Sequence, residues 1–165
     1  MRDFIAGFVA IALLVSAASL ATTLTFYRRK RQRAHDSERA LGRRIVAELP
    51  TADTLLLFSE DDVRFYYGER SIDKDLITAV RVLINGAPIA AVVARRYAGQ
   101  QTQPTTFEDR PEGIARDRWD VAIETVKGTT LVECGAIRER VSQELARTVY
   151  EAVKRDVERR NETTA

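Results

Sequence analysis

A single histidine, His35, and a single cysteine, Cys134, set the limits of the chemistry open to this 165-residue chain. His35 stands in a basic run outside the region patterned like a fold. It cannot join a multi-histidine metal site, and nothing in the pattern around it supports a Ser-His-Asp relay. Cys134 follows Leu131, Val132 and Glu133, company in which a thiol packs as a small hydrophobe. One cysteine also excludes an intrachain disulfide framework and any multi-cysteine metal site.

Carboxylates remain, because acid or base chemistry needs only two of them in a suitable cleft. Glu60, Asp61 and Asp62 form a triplet in a turn, where solvation and backbone hydrogen bonds account for them. Calcium would need further oxygen ligands that the triplet lacks. Glu108 with Asp109, and Glu124 with Glu133, carry no spacing that marks a catalytic pair. Tyr66, Tyr67 and Tyr97 beside Arg64, Arg95 and Arg96 are the types that stack on and neutralise nucleotides. From Ile45 onward, however, acids outnumber bases 21 to 17, a balance that argues against nucleic acid. The chain has no dinucleotide fingerprint, phosphate-binding glycine loop, His-Glu-x-x-His motif or nucleophile elbow. The sequence therefore assigns no catalytic residue, cofactor or metal, and reads as a non-enzyme.

Three hairpins supply the structural signal. Thr54 to Phe58 and Val63 to Tyr67 flank Ser59-Glu60-Asp61-Asp62, and pairing Phe58 with Val63 puts Leu56, Phe58, Val63, Phe65 and Tyr67 on one apolar face. Thr78 to Ile84 and Ala87 to Val93 flank Asn85-Gly86, the strongest short hairpin signal because both positions need positive φ. Pairing across that turn aligns Thr78, Val80, Val82 and Ile84 with Ala87, Ile89, Ala91 and Val93, and Pro88 marks an edge. Trp119 to Val126 and Thr129 to Cys134 flank Lys127-Gly128, a two-residue loop that sets Ile123 against Val132 and Val121 against Cys134 on one face, with Asp120, Glu124 and Glu133 facing the other way. These runs predict an antiparallel sheet of about six strands. A helix of roughly 20 residues within 137–160 carries Ile137, Val141, Leu145, Val149, Val153 and Val157 in a stripe that would cover the sheet. Between them, residues 99–118 read as a long polar loop whose Arg110, Arg116 and Arg118 are candidate contacts for a partner protein.

The N-terminal part is patterned differently. Phe4 through Tyr27 runs without a charge, and a helix of that length would span roughly 36 Å, enough for a hydrocarbon core of about 30 Å. Arg28, Arg29, Lys30, Arg31 and Arg33 follow at once, a cluster that favours the cytoplasmic side and anionic lipid headgroups. Ala6 and Ala10, Ala12 and Ser16, and Ala17 and Ala21 are small residues four apart, suited to close helix-helix contact. A cleaved signal peptide is the competing reading, weakened by its slight n-region and by the charge block after the apolar run. Ser37 would cap a short amphipathic helix over 38–49, ended by Pro50.

The expected organisation is an α+β chain. It comprises an anchor over 1–27, a basic linker and short helix over 28–50, a domain over 51–160 and a tail over 161–165. The expected role is a non-catalytic, single-pass accessory subunit of the inner or cytoplasmic membrane. Its N-terminus would lie outside and its domain in the cytoplasm, and its partners would be the lipid bilayer and other membrane-protein subunits. The alternatives are an exported or tethered ligand-sensing domain, a small carboxylate-dependent enzyme, and a homo-oligomer.

Overall fold

A computed structural model describes residues 28–50, 55–96 and 117–163, together with Ser16, Ser19, Thr22, Thr25 and Phe26. The chain divides into two units, Met1–Leu41 and Gly42–Ala165.

In the first unit, residues 28–40 form helix α1, and the five isolated described residues before them are also helical. Ser37 does not start a helix here. It lies inside α1, where its carbonyl accepts the Leu41 N–H at 3.2 Å. The helix stops at Gly42, whose φ of +72° is a left-handed conformation that ends helices.

The expectation of a transmembrane anchor is corrected: among the described residues no helix is long and apolar enough to cross a membrane. Helix α1 carries Arg28, Arg29, Lys30, Arg31, Arg33, Asp36, Glu38 and Arg39, a charge density that a hydrocarbon core does not accept, and of the expected anchor over 1–27 only Ser16, Ser19, Thr22, Thr25 and Phe26 are among the described residues. The single-pass topology, the lipid partners, the membrane location and the accessory-subunit role built on that anchor fall with it. Of the small residues proposed for helix contact, Ser16 is helical and exposed, whereas Ala6, Ala10, Ala12, Ala17 and Ala21 lie outside the described residues.

The described residues of the second unit form eight strands in two four-stranded antiparallel sheets, which corrects the single six-stranded sheet. The first sheet is the meander β1 (Arg44–Pro50), β2 (Leu55–Glu60), β3 (Arg64–Tyr67) and β4 (Arg70–Asp73). A 3-10 turn over Lys74–Leu76 leads to the second sheet, β5 (Ile77–Ile84), β6 (Ala87–Val93), β7 (Arg118–Thr125) and β8 (Gly128–Ala136), ordered β6-β5-β7-β8. Helix α2 (Arg140–Thr163) packs across strands of both sheets.

Strand β1 replaces the helix expected over 38–49. Once Gly42 has broken the helix, Ile45 and Val46 favour extended backbone, and Ala47 and Leu49 alternate into the core. Phe58 and Phe65, both fully buried, stack with ring centroids 5.6 Å apart. Burying a side chain of this size contributes about 1.5–3 kcal/mol. Val80, Val121, Ile123, Val132 and Cys134 continue the core beneath Ala146, Val149, Val153 and Val157 of α2.

The buried face of α2 is turned relative to the expected stripe. Val141 is 63% exposed, and the inward residues are Ser142, Ala146, Val149, Tyr150, Val153, Asp156 and Val157. A strict four-residue repeat drifts around a helix of 3.6 residues per turn, so residues 141 and 157 cannot share one line of contact. The true face includes an aspartate.

Candidate functional site

Asp156 enters the core side of α2 where three other elements end. Strand β2 ends at Glu60, the 3-10 turn begins at Lys74, and β1 begins at Arg44. Glu60 is 8% exposed, Lys74 4% and Asp156 4%, so three charges are held out of solvent. Burial of that kind is tolerated only with partners. Lys74 Nζ donates to Glu60 Oε2 at 2.8 Å and to the Asp61 carbonyl at 2.8 Å, and lies 3.7 Å from Asp156 Oδ1. It also sits 4.4 Å from the centroid of the Phe65 ring. Arg44 donates to the other oxygen of Glu60. Asp156 accepts from Arg159 and, at 2.7 Å, from Arg160 Nε, and Arg160 also pairs with Asp75.

The turn before β3 is fixed by Asp61. Its carboxylate accepts the N–H of Val63 at 2.8 Å, the N–H of Arg64 at 2.6 Å and the Tyr66 hydroxyl at 2.7 Å. With the Asp61 N–H donating to the Arg64 carbonyl at 2.9 Å, the connection tightens to a two-residue loop, Asp62-Val63. The Arg43 guanidinium lies 3.6 Å from the centroid of the Tyr66 ring.

These residues line a cleft of about 340 Å³, walled by Arg44 and the Glu60-Asp61-Asp62 run on one side and by Ala152, Arg155, Asp156 and Arg159 on the other. Its floor is neutralised and its mouth is not. Arg44 and Arg159 keep most of their surface in solvent while paired to Glu60 and Asp156. Arg155 is exposed and makes no ion pair among the described residues. Burial alone would raise the Glu60 carboxyl, but the hydrogen bonds and charges of Lys74 and Arg44 outweigh it and hold Glu60 below its ordinary value.

A second buried charge lies on β7. Asp120 is fully buried, and its carboxylate is 2.8 Å from Arg118 Nε, which reaches Glu133 through Nη1 at 3.0 Å. Burial raises the Asp120 carboxyl above its ordinary value, with Arg118 pulling the other way. Beside it, burial pushes the Cys134 thiol up to about 12. Such a thiol is inert as a nucleophile.

Of the residues singled out by sequence, Glu60, Asp61 and Asp62 are brought together at the cleft. Arg118 is 17% exposed and engaged with Asp120 and Glu133, whereas Arg110 and Arg116 lie outside the described residues. Arg28, Arg29, Lys30, Arg31 and Arg33 are exposed on α1. Glu124 pairs with Arg81 at 2.6 Å, and Glu108, Asp109 and Tyr97 are not described. Among the described residues no cluster of His, Cys, Asp and Glu could hold a metal.

The sequence pattern does not single out Arg44, Lys74, Arg155, Asp156 or Arg159. Asp156 had a readable signal, since it falls three residues after Val153 and next to Val157 on the apolar side of α2. Lys74 had none, because its partners come from elements far away in sequence. In comparisons with protein families, characterised proteins and solved structures, nothing matches this chain.

Proposed function

We propose that the Gly42–Ala165 unit is a non-catalytic recognition domain that takes an anionic group of a small ligand into the cleft between β1, the β2–β3 turn and α2. One observation carries this reading. Three solvent-facing guanidiniums, Arg44, Arg155 and Arg159, line one cleft whose buried carboxylates are already matched by Lys74 and Arg160. A guanidinium has five N–H donors. Arg44 and Arg159 can keep their internal pairs and still donate to a ligand.

The groups best suited to catalysis are committed elsewhere. The Lys74 ammonium is spent on Glu60 and the Asp61 carbonyl, with Asp156 close by, and so is a poor base or nucleophile. The Cys134 thiol stays protonated. A binding role asks only for the donors at the mouth.

Calorimetric titration of the full chain with acetate, malonate, citrate, inorganic phosphate and pyrophosphate tests the reading. Saturable binding of at least one multivalent anion is expected, weakened by salt because the donors are solvent-facing, and lost in Arg155→Gln/Arg159→Gln. The ligand should be recovered chemically unchanged. Binding that ignores the double substitution, or turnover of the ligand, would overturn it.

A further inference from the structure

We infer that the group the cleft takes is phosphoryl, a tetrahedral centre with three terminal oxygens, rather than carboxylate; this rests on the anion-recognition reading above. The lining supplies donors from two walls. Arg155 and Arg159 are four residues apart, hence neighbours on one face of α2, while Arg44 stands at the start of β1 across the cleft. A planar carboxylate is satisfied by the fork of one guanidinium. Three guanidiniums arriving from two directions would leave most of their donors unused on such a group. A phosphoryl group offers three oxygens in three dimensions, each accepting more than one N–H, and arginine is the side chain whose geometry suits it.

The cleft volume of about 340 Å³ is at the small end of ligand sites, which run from about 300 to 1,000 Å³. It fits a phosphoryl group with a short substituent better than a nucleotide. Two carboxylates of the β2–β3 turn, Asp61 and Asp62, line the cleft and work against the ligand. Asp62 is exposed at the mouth, and unlike Asp61 its carboxylate is not engaged by the turn. It should lower affinity for any anion, a repulsion that salt partly relieves.

The test compares inorganic phosphate with malonate, a dianion of comparable charge on two planar carboxylates, and pyrophosphate with citrate, a trianion of planar carboxylates, by calorimetry on the full chain at low salt. Phosphate should bind at least about tenfold more tightly than malonate, and pyrophosphate than citrate, the loss expected when charge-assisted hydrogen bonds go unmade. Arg155→Gln should weaken pyrophosphate about tenfold, Arg147→Gln on an exposed part of α2 away from the cleft should leave it unchanged, and Asp62→Asn should tighten it. All three substitutions fall on exposed side chains, and circular dichroism checks that the fold is retained. Malonate binding as tightly as phosphate, with the same dependence on Arg155, overturns the phosphoryl assignment and leaves anion recognition standing. Binding of none of the probes overturns both.

Discussion

Lys74 and Glu60 meet at 2.8 Å with both side chains shut away from solvent, joining the 3-10 turn between the two sheets to the end of β2. Asp156 brings α2 into the same network. Removing one member of a buried pair strands the others, at a cost of about 3–5 kcal/mol. Lys74→Met should therefore lower stability by about 3 kcal/mol, the low end, because Arg44, Arg159 and Arg160 still attend the two carboxylates. A urea midpoint that falls with an unchanged slope would show it. Lys74→Met/Glu60→Met should lose less than the sum of the single changes. Strict additivity would mean the two residues are not coupled.

The acid limb of stability should be governed by groups of opposite sign. Glu60 is held below its ordinary value of 4.5, so its contribution is complete above about pH 4.5 and disappears as pH falls through the lower folded value. Asp61 acts in the same direction: burial raises it, but the bonds from Tyr66, Val63 and Arg64 win. Asp120 is raised by burial, so the folded state takes up its proton first and acidification relieves a penalty there. In urea midpoints measured from pH 7 down to pH 3, Glu60→Gln should flatten the loss of stability and Asp120→Asn should steepen it. The reverse order would refute the assignment.

The hairpins show how much of the fold can be read in advance. In β2–β3 the observed partner of Phe58 is Tyr67 rather than Val63, and in β7–β8 the partner of Val121 is Val132 rather than Cys134. Both displacements are even numbers of residues. Phe58, Phe65, Val121, Ile123, Val132 and Cys134 consequently keep their face and are buried as the alternation requires, whereas Val63 falls in the tightened turn and is 55% exposed, and Asp120, expected on the polar face, is buried. The hairpin with the clearest turn fared worse. Ile84 pairs with Ala87 as expected, but Leu83 then meets Pro88 and Val82 meets Ala90, a bulge that absorbs Ile89.

One extra residue flips the rest of β6. Ala90 and Val92 pack inward while Ile89 is 56% exposed. Proline and a bulge on an edge strand are devices that deter pairing with other chains, and β6 is an edge. The cleft was harder to foresee than any strand. It depends on Glu60, Lys74 and Asp156 meeting from three elements, and local pattern says nothing about such encounters.

Asn85 should matter beyond its turn. Its φ of 52° and the 76° of Gly86 suit the two-residue connection between β5 and β6, and its side-chain oxygen accepts the N–H groups of Asp117 and Arg118 where β7 begins. Asn85→Gly keeps the backbone conformation and removes only the acceptor, a loss of about 1 kcal/mol. Asn85→Ala adds left-handed strain of about 1–2 kcal/mol. Thermal unfolding should therefore rank wild type above Gly and Gly above Ala. Equal losses would mean the side-chain bonds contribute nothing separable.

Two glycines with positive φ should respond differently to the same change. At Gly42, φ +72°, an added Cβ would meet nothing within 4 Å, so Gly42→Ala carries only the backbone term, about 1 kcal/mol. At Gly135, φ +111°, the Cβ would lie 2.5 Å from Ser142 Oγ and 3.3 Å from Ser142 Cβ. Ser142 is buried and its hydroxyl is 3.2 Å from Glu139 Oε2, so moving it aside costs that contact. Gly135→Ala should lose about 3 kcal/mol, strain and overpacking together, and Gly135→Ala/Ser142→Ala should recover part of it. A double variant no better than the single would place the whole cost in the backbone.

Cys134 offers a direct readout of opening. With its thiol pushed up to about 12 and its side chain 1% exposed, only roughly one molecule in ten thousand would carry the thiolate at pH 8 even if reagent could enter. Iodoacetamide should leave the native chain unmodified over hours at pH 8. The rate should then rise with urea in parallel with loss of circular dichroism, because Cys134 of β8 belongs to the core that α2 helps to form and is reached when that packing comes apart. Stoichiometric labelling in buffer alone would place the thiol at the surface and remove it from the core described here.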